Sequence, residues 1–140
     1  MNQSDIDWLR SAFREKNLFS RLSESEIGAV IDQMARNNFA AGDRMIQEGE
    51  SGEWFFIVQQ GRVSVTRKKW LFGEKEIATL GPKEFFGEMS LLSAKPRCAS
   101  LYAAEDTICF SLFKRQFQKL VDRCPTFRKG MEELIAQRDS

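Results

Sequence analysis

Apolar residues at helical spacing predict two amphipathic helices at the start of the chain. In the first, Ile6, Leu9 and Phe13 follow a capping pattern formed by Ser4 and Asp7. The second has a capping box and an apolar stripe at i, i+3, i+4 and i+7, and its residues are Ser23, Glu26, Ile27, Val30, Ile31 and Met34. Residues 1–37 are therefore expected to form an N-terminal helical segment.

From about residue 38 to residue 112 the pattern changes to short β-like runs that end near glycines. The predicted strands have four to seven residues each and are Arg44–Gln47, Trp54–Gln60, Val63–Arg67, Lys75–Leu80 and Ile108–Leu112. Tight turns explain the glycines between them, and no chemistry is assigned to Gly49, Gly52, Gly61 and Gly81. Short strands with frequent glycine turns are typical of an antiparallel β-roll or jelly-roll-like barrel.

Residues 113–140 are predicted to form two C-terminal helices. The first carries an apolar stripe of Phe113, Phe117, Leu120 and Val121. Pro125 separates the two helices, because proline disfavours helical geometry in the residue before it. The second helix carries an apolar stripe of Phe127, Met131, Leu134 and Ile135. The fold class is therefore α+β, an antiparallel β-roll flanked by N-terminal helices and two C-terminal helices within one domain.

Composition narrows the class of protein. The 140 residues suffice for about one domain, and a net charge of +1 gives no basic field for nucleic acid, so direct DNA binding is not expected. The longest apolar run, Trp54–Val58, is far shorter than the ~20 residues that span a bilayer, and the polar N-terminus has no signal-peptide pattern. Three cysteines without Cys-x-x-Cys spacing predict buried reduced thiols in a cytoplasmic protein, and they are Cys98, Cys109 and Cys124.

The chain contains no histidine. This absence removes the Ser-His-Asp and Cys-His nucleophile systems and most zinc or iron sites. It also argues against a metal-dependent cupin, an enzyme class that shares the β-roll architecture. We therefore expect no catalytic residues, no metal and no cofactor, and an enzyme is the least favoured class of function.

Residues 86–100 combine groups that suit an anion next to a sugar hydroxyl. Gly87 permits close backbone approach, and the following turn of helix would point free N–H groups at an anion. Arg97 supplies a planar fork of donors for phosphate oxygens, whereas Glu88 would repel a phosphate and accept from a ribose hydroxyl. A cyclic nucleotide fits this set better than a nucleoside triphosphate. The alternative is that Glu88 and Arg97 form only a surface ion pair.

The order Phe-Gly-Glu followed by Pro-Arg-x-Ala-Ser resembles the phosphate-binding cassette of the cyclic nucleotide-binding domain family. Residues 47–63 resemble the strand-turn-strand signature of this family, and residues 80–88 resemble its lead-in to the cassette. The resemblance runs from about Leu18 to the C-terminus. Lys83 stands where many members have glycine, a departure that is not expected to affect binding.

The resemblance implies a role for each matching residue. Glu88 would accept from the ribose 2′-hydroxyl, Arg97 would pair with the cyclic phosphate, and the N–H groups of Ser90 and Cys98 would complete the anion site. The full set of expected ligand-binding residues is Phe86, Gly87, Glu88, Met89, Ser90, Arg97, Cys98 and Ala99. The purine would lie between the β-roll and a C-terminal lid, and the lid candidates, whose stripe also fits plain core packing, are Phe127, Met131 and Leu134.

Cys98 bears on the choice between cyclic AMP and cyclic GMP. Family members have alanine or threonine at this position, and threonine is linked to better cyclic GMP binding. A thiol is a weak hydrogen-bond donor, so a cyclic AMP preference is expected.

The resemblance also implies an output. In the family, ligand capture moves the C-terminal helices onto the β-roll, and here the chain has no room for a winged-helix, kinase or channel domain. We therefore expect a cytoplasmic sensor that signals to a partner, an oligomer or a missing effector domain. The alternative is a structural or protein-interaction β-roll that has lost the ligand. Residues 70–72 (Trp-Leu-Phe) fit either a partner contact or, preferably, a lid on the core.

Overall fold

The computed structural model describes residues 1–16, 23–50, 54–87 and 99–123, together with Pro125 and Lys129. Its helices are α1 (Gln3–Glu15), α2 (Glu24–Asp32) and α3 (Lys114–Arg123). Its strands are β1 (Ala35–Phe39), β2 (Arg44–Ile46), β3 (Trp54–Gln60), β4 (Val63–Lys68), β5 (Glu74–Leu80), β6 (Phe85–Phe86), β7 (Ser100–Ala103) and β8 (Thr107–Phe113). The second C-terminal helix predicted from the sequence lies, apart from Pro125 and Lys129, outside the described residues.

The strands form two four-stranded antiparallel sheets. The first sheet has the order β1-β8-β3-β6, and the second has the order β2-β7-β4-β5. Chain neighbours such as β6 and β7 therefore lie in different sheets, and the chain crosses repeatedly between the two. This arrangement confirms the predicted α+β class and its antiparallel β-roll.

Strand β3 is buried on both faces, which explains its uninterrupted apolar sequence. Phe55 and Ile57 belong to a core cluster shared with the helices. Phe56 and Val58, which alternate with them, belong to a second cluster between the two sheets. An antiparallel strand with one wet face would alternate apolar and polar residues, so the continuous run reflects the helices packed outside the roll.

Helix α2 begins as the sequence predicts. The Ser23 hydroxyl accepts from the Glu26 backbone N–H at 3.2 Å, and the Glu26 carboxylate accepts from the Ser23 N–H at 3.0 Å. The predicted stripe follows directly, with Ile27, Val30 and Ile31 buried. The capping box therefore directs this apolar stripe onto the first core cluster.

The N-cap of helix α1 lies two residues before the predicted cap. The side chain of Asn2 accepts from the Asp5 backbone N–H at 2.8 Å, so Asn2 is the N-cap and Ser4 lies inside the helix. The prediction of Ser4 as the cap is therefore wrong, because asparagine caps at least as well as serine and stands two residues earlier. The apolar stripe is correct, since Leu9 and Phe13 are buried.

Three strands were not predicted, because their sequences lack the alternation of apolar and polar residues that indicates a strand. Strand β1 begins at Ala35, three residues before the expected start of the β-region near residue 38. Its sequence is largely polar, and it is held by pairing with β8, where the Asn37 amide donates to the Ser111 hydroxyl. The other two, β6 and β7, are only two and four residues long and form through pairing with β3, β2 and β4. Long-range pairing, rather than local propensity, forms these strands.

Two apolar segments lie differently from the predictions. Phe113 ends β8 instead of starting the helical stripe, and its ring lies 3.7 Å from that of Trp54, centroid to centroid. Residues 70–72 form the tip of the β4–β5 hairpin, with Trp70 92%, Leu71 73% and Phe72 82% exposed. The interpretation of this segment as a lid on the core is wrong, because all three side chains are exposed and none belongs to either core cluster.

The turn that leads into the cassette contains a strained lysine. The Glu84 N–H donates to the Gly81 carbonyl at 3.1 Å, with Pro82 at the second position of the turn. Lys83 occupies the third position at φ 72°, the left-handed geometry that a type II turn requires and that glycine adopts without strain. The family preference for glycine here therefore has a backbone reason.

Replacing Lys83 by glycine is expected to stabilise the fold by about 1 kcal/mol, because the left-handed conformation costs a residue with a Cβ roughly that much. The substitution also removes the ion pair between Lys83 Nζ and the exposed carboxylate of Glu15, 2.6 Å apart, so Glu15→Gln serves as its control. Urea unfolding of both variants measures the effect. A Lys83→Gly variant less stable than Glu15→Gln would contradict the expected relief of strain.

Candidate functional site

The segment predicted to bind ligand connects the two sheets. Before it, Phe86 of β6 pairs with Phe56 of β3 in the first sheet. After it, Ser100 of β7 pairs with Thr66 of β4 in the second sheet. The intervening residues therefore span from one wall of the β-roll to the other, where a bound molecule can touch both.

Both ends of this segment are anchored in the same apolar cluster. Ala99 is 1% exposed and belongs to the cluster between the sheets, and Phe86 packs against that cluster. Backbone pairing in β6 holds Phe86, and β7 begins directly after Ala99. The structure thus fixes the separation of the two cassette ends, as a preorganised binding loop requires.

Gly87 is buried and has φ 102°. An L-residue in this left-handed region is strained, so the fold itself favours glycine here before any ligand is considered. The close-approach argument from the sequence and this backbone argument point to the same residue type. Gly87 directs the chain out of β6 at the start of the cassette.

Ser100 has a role that sequence reasoning did not assign. Its hydroxyl accepts from the Glu48 backbone N–H at 2.8 Å, and the Glu48 carboxylate accepts from the Lys68 backbone N–H at 3.0 Å. These bonds join the segment after β2, the end of β4 and the start of β7. No signal in the sequence marks these bonds, because the burial of Ser100 and its contact with Glu48 follow only from the packing of the strands.

The remaining predicted site residues lie outside the described residues. From the cassette these are Glu88, Met89, Ser90, Arg97 and Cys98, and from the lid they are Phe127, Met131 and Leu134. The structure brings together Phe86, Gly87 and Ala99 of the predicted set.

Thr66 is a further candidate next to the cassette. Its hydroxyl is buried and has no hydrogen-bond partner among the described residues. Thr66 lies directly opposite Ser100 in the ladder, so the two side chains point to the same face of the second sheet. A buried hydroxyl that lacks a partner costs folding free energy, which makes its presence beside the cassette informative.

Replacing Thr66 by valine is expected to leave the free energy of unfolding unchanged or to raise it by up to ~1 kcal/mol, because the buried hydroxyl has no partner in the described part of the chain. Thr107→Val is the matched control. The Thr107 hydroxyl lies 2.8 Å from the Glu105 carbonyl and 3.2 Å from that of Arg62, so its loss is expected to cost ~1–2 kcal/mol. Equal decreases in the free energy of unfolding for Thr66→Val and Thr107→Val, measured in urea, would show that the Thr66 hydroxyl has a partner.

Cys109 lies in the apolar cluster between the sheets and is a free thiol. Burial raises the pKa of Cys109 to about 12, so the reactive thiolate is scarce at neutral pH. The prediction of a buried reduced thiol is confirmed for this residue, whereas Cys98 and Cys124 lie outside the described residues.

Two other kinds of feature, a metal-binding cluster and a membrane-spanning helix, are not found in the described ranges. Within them, no group of three or more Cys, Asp or Glu side chains is placed to hold a metal ion. No helix in this part of the chain has the length and apolar character needed to cross a membrane. A cavity of about 330 Å³ between α2 and α3 contains none of the predicted site residues among its lining, which includes Asp32, Lys119 and Arg123.

Comparison with known proteins gives a consistent result. A family model for the cyclic nucleotide-binding domain matches residues 36–124. The cyclic AMP receptor protein of Thermus thermophilus is 33% identical over 86% of this chain and 56% of its own length. Human cGMP-dependent protein kinase 2 is 32% identical over 96% of this chain and 18% of its own length.

A solved structure shows the same architecture. The regulatory domain of Toxoplasma gondii PKA, crystallised with cAMP, superimposes with a TM-score of 0.80 at 27% identity, over 86% of this chain and 46% of that one. The chain thus spans about half the length of the Thermus protein and under a fifth of the human kinase. The match covers both sheets and the segment between them, and this chain belongs to the cyclic nucleotide-binding domain family.

Proposed function

We propose that this chain is a sensor that binds a cyclic nucleotide between Gly87 and Ala99. The observation that carries the proposal is the anchoring of the segment, which leaves one sheet at Phe86 and enters the other at Ser100 with both ends in one apolar cluster. Fixed ends on both sides of the segment lower the entropic cost of binding a ligand there. Domains of this family are regulatory modules and are generally non-catalytic.

The chemistry of the proposed site rests on two side chains of opposite charge. Arg97 binds the cyclic phosphate through two parallel N–H groups, and Glu88 accepts from the ribose 2′-hydroxyl. The N–H groups of Ser90 and Cys98 complete the anion site, and Phe86 and the lid residues (Phe127, Met131 and Leu134) cover the ligand.

Cyclic AMP is the proposed preferred ligand. The residue at position 98 supports this choice, because a cysteine thiol donates weakly to the groups that distinguish guanine. The relatives include both a cyclic AMP receptor and a cGMP-dependent kinase at nearly equal identity, so both nucleotides belong in the test.

The proposed output is a movement of the C-terminal helices. Helix α3 follows β8 directly, and Phe117 is buried in the first core cluster, so a change in the roll reaches this helix through packing contacts. The ligand shifts the balance between two positions of the C-terminal segment by binding one of them more tightly. A protein partner or an attached effector domain reads that position.

A second candidate function is a β-roll of the same fold that binds no nucleotide. It is favoured by the exposed apolar tip at residues 70–72, which suits an interaction module irrespective of any ligand.

Isothermal titration calorimetry with cyclic AMP, cyclic GMP and linear 5′-AMP separates the two candidates. We expect saturable binding of both cyclic nucleotides below millimolar concentration, tighter binding of cyclic AMP and much weaker binding of 5′-AMP. Absence of any cyclic nucleotide binding below about millimolar would leave the ligand-free candidate. Equal affinity for the two cyclic nucleotides would remove the basis of the cyclic AMP preference alone.

A further inference from the structure

The β4–β5 hairpin carries the largest exposed apolar group in the described part of the chain. Trp70, Leu71 and Phe72 are consecutive and 92%, 73% and 82% exposed. The Lys69 N–H donates to the Gly73 carbonyl at 2.9 Å and closes the loop around them. Every residue from 67 to 79 is exposed, so the hairpin extends from the roll as a ribbon with the three apolar residues at its tip.

The charges of the hairpin are arranged asymmetrically. Its two carboxylates are bonded back along the second sheet, since Glu74 accepts from the Tyr102 hydroxyl at 3.1 Å and Glu76 accepts from the Ser64 hydroxyl at 2.6 Å. The lysines behave differently. No carboxylate in the described residues forms an ion pair with Lys68, Lys69 or Lys75. The hairpin also carries more cationic side chains (Arg67, Lys68, Lys69 and Lys75) than carboxylates (Glu74 and Glu76), so the strands that flank the three exposed apolar residues have a net positive charge.

We propose that this hairpin tip docks the protein on an anionic lipid surface. The convex tip can insert Trp70, Leu71 and Phe72 at the boundary between headgroups and acyl chains, where tryptophan is favoured. The lysine stems reach outward from the same loop, so their ammonium groups meet anionic headgroups while the apolar residues enter the lipid. This property is independent of the cassette and goes beyond nucleotide sensing.

The same observations disfavour a second copy of the chain as the occupant. Self-association through this hairpin would pair the free edge of β5, which borders only β4 in its sheet. That edge begins with three successive charged residues, 74–76, and charges on an edge strand oppose pairing with another strand. Three apolar side chains at a hairpin tip also offer too little area for the self-complementary interface of a stable homodimer.

Flotation with lipid vesicles tests the proposal on the 140-residue chain without nucleotide. We expect binding to phosphatidylcholine vesicles that contain roughly a third phosphatidylserine, much weaker binding to pure phosphatidylcholine, and a decrease with added salt. The variant Trp70→Ser/Phe72→Ser is expected to lose at least ~tenfold in affinity. In Lys68→Glu/Lys69→Glu the affinity for anionic vesicles is expected to fall at least about fivefold per substituted residue.

Matched variants separate the tip from general surface effects. Ile77→Ser removes an exposed apolar side chain from the same hairpin away from the tip, since Ile77 is 50% exposed on β5. Arg115→Glu/Lys119→Glu reverses two exposed charges on α3. Both controls are expected to bind anionic vesicles like the native chain. Because all substituted tip residues are exposed, the thermal unfolding of the tip variants is expected to remain unchanged.

Two results would overturn the proposal. One is vesicle binding that survives in Trp70→Ser/Phe72→Ser. The other is the absence of binding to anionic vesicles near physiological salt. Sedimentation of the same protein then shows whether the tip instead forms a dimer or holds a protein partner. Because no nucleotide is present, either result leaves the proposed nucleotide site untouched.

Discussion

Replacing Arg97 by alanine is expected to weaken cyclic nucleotide binding roughly tenfold to a hundredfold. The proposed guanidinium contact to the cyclic phosphate is bidentate and charge-assisted, and the loss of such a contact costs ~1.5–3 kcal/mol. Calorimetric titration of native and variant protein with cyclic AMP measures the change. The effect on stability is expected to be small, so unfolding curves check that the variant remains folded.

Two further variants make this result specific. Arg97→Lys keeps the charge but loses the planar fork, so it is expected to bind more weakly than the native chain and more tightly than Arg97→Ala. Arg115→Ala removes an exposed arginine from α3 and is expected to bind cyclic AMP like the native chain. Native affinity in Arg97→Ala would show that the phosphate is held elsewhere.

Replacing Gly61 by alanine is expected to destabilise the fold by at least ~2–4 kcal/mol. Gly61 lies in the tight connection between β3 and β4 at φ 101°, where a residue with a Cβ is strained. A Cβ at this position would also lie 2.5 Å from the Thr107 hydroxyl oxygen and 2.6 Å from the Asp106 carbonyl oxygen. The clash with backbone cannot be relieved by a side-chain rotation, so the strain and the overpacking add.

Gly42→Ala is the control that separates the two costs. Gly42 has a similar φ of 93°, but a Cβ built there meets no atom within 4 Å. Only the backbone strain remains, and a loss of about 1 kcal/mol is expected. Urea unfolding of both variants should therefore give a clearly larger loss for Gly61→Ala. Similar losses for the two would mean that the β3–β4 connection shifts to accommodate the methyl group.

Local chemistry made part of the fold predictable. The capping box of Ser23 and Glu26 acts within one turn of helix, and strand β3 has the predicted bounds because Gly61 follows its last residue directly. Strand β1 was missed, since its polar sequence becomes a strand only when β8 lies beside it. The N-cap at Asn2 was missed for a different reason, because Asn2 and Ser4 are both plausible caps and the sequence alone does not rank them.

The candidate site divides in a similar way. The sequence identified Gly87 and the order of residues around it, because a glycine, a carboxylate and an arginine each allow few chemical roles. It did not reveal the bond from the Glu48 N–H to Ser100 or the buried hydroxyl of Thr66, since these residues meet only when β2, β4 and β7 form one sheet. Residues 52 positions apart in the chain form this contact.

The sequence by itself determined the α+β class, the helical stripes, the region of the cassette and the family resemblance, because each depends on the identity and spacing of nearby residues. The tertiary structure alone decided that the cassette joins the two sheets, that Lys83 and Gly87 adopt left-handed conformations, and that Trp70 is exposed instead of covering the core. A short apolar loop has the same sequence pattern whether it is buried or exposed. Only the tertiary structure shows that the tip of the β4–β5 hairpin is exposed.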